Sequence, residues 1–330
     1  MIDCAEYYEF IEAHAEERVE DLALRLNAFS PEARTFILRQ IEGRQRLRAK
    51  VPSWCAVPRL HFPPRLSLEQ CSGEVTARYK ATLVEHWVEK LDHPVLVDLT
   101  GGMGVDFSFM AAHCAEAVYV ERNAELVELA AHNFPLIGLT QARTVCSEAS
   151  TYLDTLSFAD ILFLDPARRD EIGRKVVRIE ACEPDVCALS ASLRSRCRHL
   201  LIKLSPMLDV CDALDRLPGI EAVHIVAVDG ECKEVLLCCR GLLHDTTTAL
   251  VPIEVPITCV DLSSTGRRPS TTFSFTFSAE NTAPLRLAEN LSGWLYEPNA
   301  AVLKAGAYRT LSQQFDVAAL HPNTHLYVGT

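Results

Sequence analysis

Val95-Leu-Val-Asp98-Leu-Thr100-Gly101-Gly102-Met-Gly104-Val-Asp106-Phe107 is an apolar run closed by an acid, a Gly-rich turn, and the start of a new apolar period. The run predicts a buried strand, and the glycines let the following backbone pass close to a ligand before a helix begins. Two further acids close apolar runs at the spacing of a parallel α/β sheet. Glu121 ends Ala117-Val-Tyr-Val120, and Asp165-Pro166-Ala-Arg168 follows Ile161-Leu-Phe-Leu164.

A dinucleotide fingerprint would read G-x-G-x-x-G and carry no acid at the end of its first strand. Here Gly102-x-Gly104 is followed by Val105, Asp106 and Phe107, so the third glycine is missing and Asp98 stands where an apolar residue is usual. The turn therefore suits a cofactor without phosphates, whose cationic amino-acid group an acid can hold directly or through water. S-adenosylmethionine is such a cofactor. Asp98, Thr100, Gly101, Gly102 and Gly104 are its expected turn contacts. Glu121 is expected to accept from the ribose hydroxyls, and Ser147 and Glu148, after a third strand, to lie on the adenine side.

These residues resemble the class I S-adenosylmethionine-dependent methyltransferases over about Thr76 to Gly241. More narrowly, the chain resembles bacterial methyltransferases with a THUMP-like C-terminal module. The phrases that carry this are Leu68-Glu-Gln-Cys-Ser-Gly-Glu-Val-Thr76-Ala-Arg78-Tyr-Lys80, the turn at 98–106, Asp165-Pro-Ala-Arg-Arg169, Lys203-Leu-Ser-Pro-Met207 and Tyr296-Glu-Pro-Asn-Ala-Ala-Val-Leu-Lys304. The resemblance implies an α/β fold with a Rossmann-like seven-stranded core, a helical N-terminal region and a small α+β C-terminal module. It also implies methyl transfer to RNA, a base of tRNA or rRNA. A small-molecule or protein substrate, or a module that binds cofactor or RNA without turnover, is the alternative.

The end of the fourth strand is where dedicated chemistry is expected. Enzymes of this type that methylate exocyclic amines carry an acid or Asn, two prolines and an aromatic, the acid and a proline carbonyl accepting the amine's hydrogens. This chain keeps Asp165 and Pro166 and has Arg168 where the stack would be; its planar guanidinium can stack or grip a phosphate. Asp165, Pro166 and Arg168 are thus the expected catalytic residues, and Arg169, Lys203, Arg78 and Lys80 the expected substrate contacts. Structural alternatives stand beside each: a helix cap at the strand end for Asp165, a loop ion pair for Arg168, a salt bridge within the domain for Lys203, a helix start for Arg78 and Lys80.

The four expected stretches are a helical region at 1–75, the transferase domain at 76–242, a small ferredoxin-like α+β unit at 243–290 and a THUMP-like segment at 291–330. Ser30-Pro31-Glu32 reads as a cap, a first-turn proline and an early acid. Pro52, Pro58, Pro63 and Pro64 predict an extended connection. Strands are expected at 95–98, 117–121, 143–146, 160–164 and 199–204, then a hairpin turning at Asp229-Gly230.

The net charge of −12 is unevenly placed. Residues 1–30 hold eight acids against Arg18 and Arg25, a net −6, whereas residues 31–80 hold ten Lys or Arg against four acids, a net +6. That basic stretch either tracks a phosphate backbone or is balanced by the acidic helix before it. Thirteen cysteines without a C-x-x-C pair read as reduced core residues, and no histidine spacing suggests a metal site. With no apolar stretch of membrane length and no secretory start, a cytoplasmic protein is expected.

Overall fold

The longest helix, Pro31–Leu47, starts where the sequence places it: the Ser30 hydroxyl accepts from Ala33 N at 3.2 Å and Pro31 occupies the first turn. A computed structural model of the chain describes residues 7–168, 178–242 and 251–329, divided into two units at Tyr152/Leu153.

In the first unit, helices Tyr8–Ala13, Val19–Ala23 and Pro31–Leu47 enclose an apolar cluster of Ile11, Leu22, Leu26, Phe36, Ile37 and Ile41. The proline-rich connection does not run free. Leu60 and Phe62 are buried with Leu47, Val51 and Trp54, and Phe62 N donates to Gln40 Oε1 at 2.7 Å. Gly43 leaves the room for this, since a Cβ there would stand 2.3 Å from that of Phe62. Beyond helix Glu74–Val88 come β1 (Val95–Asp98), β2 (Glu116–Glu121) and β3 (Ala142–Cys146), paired in parallel in that order.

The second unit begins its strands with β4 (Ala159–Leu164), buried at all six positions as an interior parallel strand must be. A short antiparallel pair follows, β5 (Ala167–Arg168) with β6 (Cys182–Glu183). Then come β7 (Cys197–Leu204), β8 (Ile220–Val228), β9 (Glu231–Arg240), β10 (Ile257–Leu262) and β11 (Thr271–Phe275). Their order is β11-β10-β8-β9-β7-β4. β4 and β7 are parallel, and β9 runs antiparallel to β7 and β8. Asp229 and Gly230, both at positive φ, make the β8–β9 turn.

β1 to β4 and β7 to β9 are the seven strands of the expected α/β core. The unit expected at 243–290 falls partly outside the described residues, and the part described contributes two strands to the main pairing. β10 pairs in parallel with β8 and β11 antiparallel with β10, so residues 257–275 extend the main pairing by two strands. A small antiparallel sheet does form later, from β12 (Trp294–Tyr296), β13 (Ala318–Ala319) and β14 (Tyr327–Gly329) in the order β12-β14-β13. Among the described residues no helix is long and apolar enough to cross a membrane.

Two histidines make stability depend on pH. Burial, helped by His132 and Arg39, pulls His61 down to about 4, and burial does the same to His224. In the unfolded chain both titrate near 6.5, so between about pH 6.5 and 4 the unfolded state binds more protons. Their contribution is complete above about 6.5 and is lost as the pH falls toward 4. The melting temperature should drop between about pH 7 and pH 4.5, and less steeply in His61→Gln; equal slopes would contradict the assignment.

Candidate functional site

Asp98 closes β1 with its side chain 1% exposed, and its Oδ1 accepts from Thr100 N at 2.8 Å with Thr100 Oγ1 at 3.4 Å. An acid bonded to the backbone two residues on makes a tight turn, and this one delivers the chain into Gly101 and Gly102. Gly101 N donates to Val120 O at 2.9 Å, and a Cβ on Gly101 would stand 2.1 Å from the Tyr119 ring. Gly102 and Gly104 lie at φ +54° and +83°, where a side chain would be strained.

Glu121, at the end of β2, reaches back to this turn. Its Oε2 accepts from Gly102 N at 2.8 Å and its Oε1 from Asn123 N at 2.9 Å. Each carboxylate oxygen has a further lone pair, so both can still accept from a ligand hydroxyl. Ser147, just after β3, is tied to the end of β2, with its N–H donating to Glu121 O at 3.1 Å and its hydroxyl to Glu148 O at 3.1 Å. Asp98, Thr100, the glycines, Glu121 and Ser147 are thus linked by hydrogen bonds within one unit, with Glu148 exposed beside them. The side chains of this set are carboxylates and hydroxyls, which suits a cationic or hydroxylated ligand better than a phosphate.

Lys80 departs from the expected substrate contact. Its side chain is 0% exposed, and its ammonium lies 3.1 Å from Asp106 Oδ1 at the start of helix Val105–Ala111. Ser72 Oγ donates to Asp106 Oδ2 at 2.6 Å. The reason is helical period: Thr76, Lys80 and Val84 share the buried face of Glu74–Val88. Arg78 is on the other side, paired with Glu74 at 2.6 Å, 4.8 Å over the Phe109 ring and 60% exposed.

In the second unit, Asp165 follows β4 and pairs with Lys203 of β7 at 2.6 Å. Parallel register causes this: Leu164 is partnered with Ile202, so the next residues along stand side by side. The salt bridge that the sequence offered as the alternative for Lys203 is present, and it falls on the expected catalytic acid. Pro166 is buried; Arg168 enters through its backbone, paired with Cys182. Arg169 lies outside the described residues.

Most cations of the basic stretch 31–80 have partners within the first unit. Arg39 pairs with Glu125, Arg46 with Glu42, Arg48 with Glu16 and Arg65 with Glu69. Arg44 and Lys50 donate to backbone carbonyls, and Arg59 lies over the Tyr8 ring. Apart from Arg34, each cation of the stretch has a named internal partner. The twelve described cysteines are free, and burial pushes Cys197, Cys239 and Cys259 up to about 12, as inert core thiols.

Sequence reasoning missed Tyr119, Asp106 and Phe134. Tyr119 sat inside an apolar run, although its place two residues before Glu121 puts it on the same strand face.

A family model described as a ferredoxin-like domain matches residues 294–330, the stretch of the small antiparallel sheet. A curated relative, the uncharacterized RNA methyltransferase tlr0942 of Thermosynechococcus vestitus, is 28% identical over 158 residues. That match covers 46% of this chain and 35% of the relative, so the chain spans about a third of that protein's length. The crystal structure of a candidate methyltransferase from Porphyromonas gingivalis W83 superposes with a TM-score of 0.85 at 34% identity, covering 98% of this chain and 77% of that one. With that likeness running through both units, the chain belongs to the methyltransferase family that the P. gingivalis protein represents.

Proposed function

We propose that this chain is an S-adenosylmethionine-dependent methyltransferase acting on RNA, at a base of tRNA or rRNA. The observation that carries the cofactor is the glycine turn held between two strand-end acids, Asp98 and Glu121, with Thr100 and Ser147 beside them. When bound, the cofactor supplies an electrophilic methyl group on a sulfonium. The protein's task is then alignment and exclusion of water, which together can supply roughly 7–11 kcal/mol in favourable cases.

Asp165, oriented by Lys203, and the Pro166 carbonyl accept the hydrogens of the substrate amine, while Arg168 and Arg169 hold the base or a flanking phosphate. Arg78 remains an exposed contact for RNA; Lys80 acts from below, through Asp106. Residues 76–242 form the transferase domain and 291–330 a THUMP-like segment that helps hold RNA. Support for RNA comes from the T. vestitus relative's name and from the motif at Asp165.

One observation favours the second reading, a small-molecule or protein substrate: most cations of 31–80 already hold internal partners. Incubation with methyl-labelled cofactor and unmodified total RNA separates the two. Label in RNA, with one modified nucleoside missing from cells lacking the gene, is expected; label confined to protein or small molecules would reject the RNA assignment.

A further inference from the structure

Gly102 is gripped on both of its peptide planes by a single strand. Its N–H, in the plane before its Cα, donates to Glu121 Oε2 at 2.8 Å; its carbonyl, in the plane after, accepts from the Tyr119 hydroxyl. Tyr119 and Glu121 are two residues apart on β2, so the strand's period turns both side chains to one face. Fixing the two planes that flank one Cα fixes its φ and its ψ together. A glycine needs such fixing, because alone it visits left- and right-handed conformations about equally.

The Tyr119 ring has a second function in packing. It is fully buried, 5.3 Å edge-on to Phe134 and 5.6 Å edge-on to Phe107, and it fills the space beside Gly101. Phe134 in turn lies 3.0 Å from where a Gly104 Cβ would stand. Ring and hydroxyl are therefore separable: the ring fills the floor of the turn, and the hydroxyl sets the direction of one carbonyl. Burial, with Glu121 and Asp98 adding negative charge nearby, raises the Tyr119 phenol and keeps it a donor.

We infer that Tyr119 is a positioning residue for the cofactor, its hydroxyl locking the Gly102 carbonyl so that the turn and the free lone pairs of Glu121 are preset for the ligand. The inference rests on the cofactor reading above. Preset geometry lowers the ordering cost of binding without touching the transferred group.

Tyr119→Phe keeps the ring and removes the lock. Titration of the full chain with S-adenosylmethionine should show a Kd about ten-fold weaker, equivalent to about 1.4 kcal/mol, with kcat at saturating cofactor and KM for RNA within about two-fold of the parent. Phe134→Leu is the comparison, since it disturbs the same ring cluster and leaves the hydroxyl; it should lose more thermal stability yet less cofactor affinity. Equal affinity in the parent and Tyr119→Phe overturns the inference alone. So does a loss of affinity that merely follows lost stability across both variants. Absence of binding by the parent protein overturns the cofactor reading, and this inference with it.

Discussion

Asp165→Ala should lower kcat by about 10²–10³-fold while cofactor affinity stays within about two-fold, because it removes one preorganised acceptor from the reacting group. The pairing of β4 with β7 places this acceptor. Their parallel register sets Asp165 beside Lys203, and the 2.6 Å ion pair helps to orient the carboxylate at the strand end. The side chain of Asp165 is 40% exposed and that of Lys203 12%, so the acid faces outward and the lysine supports it from the sheet. Asp165→Asn keeps one acceptor oxygen and should lose less than Ala. Lys203→Met should lower kcat by about ten-fold through lost orientation, with little effect on stability because Asp165 stays hydrated. Single-turnover methyl transfer to RNA, with calorimetric titration of cofactor on the same preparations, reads all three. Full activity in Asp165→Ala would move the chemistry away from this strand end.

Most of the parallel core was legible because its strands are bounded by chemistry that sequence displays directly. Asp98, Glu121 and Asp165 mark strand ends, and Asp229-Gly230 marks the hairpin at positive φ. Observed strand limits differ from the expected ones by at most two residues. What escaped was partnership across long separations. Ile257–Leu262 is an almost continuously buried run of the kind an interior strand shows, yet only its pairing with β8 reveals that it continues the main sheet. The basic stretch illustrates the same limit, for Arg48 and Glu16 or Arg39 and Glu125 are far apart in sequence, and charge counting cannot pair them. At the site, residue types were readable and their bonds were not. The sequence places Glu121 at a ribose, and only the structure shows its bonds to Gly102 and Asn123, which build the turn.

Lys80→Met should destabilise the protein by about 3–5 kcal/mol, the largest loss of stability expected from a single change near the turn. Lys80 has no exposed surface and Asp106 almost none, so the two charges stand in for water to one another, and Ser72 donates to Asp106 as well. Removing the ammonium leaves the carboxylate of Asp106 buried, which costs more than the pair itself contributes. The double substitution Lys80→Met with Asp106→Leu removes both charges and should recover most of the loss, since an apolar pair of similar volume often serves as well. Equilibrium urea unfolding of the two single variants and the double closes the cycle. A strongly favourable coupling is expected, as is weakened cofactor binding in folded Lys80→Met, because Asp106 sits in the first turn of the helix that Gly104 begins. A cost below about 1 kcal/mol would mean that water reaches the pair, and Lys80 would then return to consideration as a residue that substrate can touch.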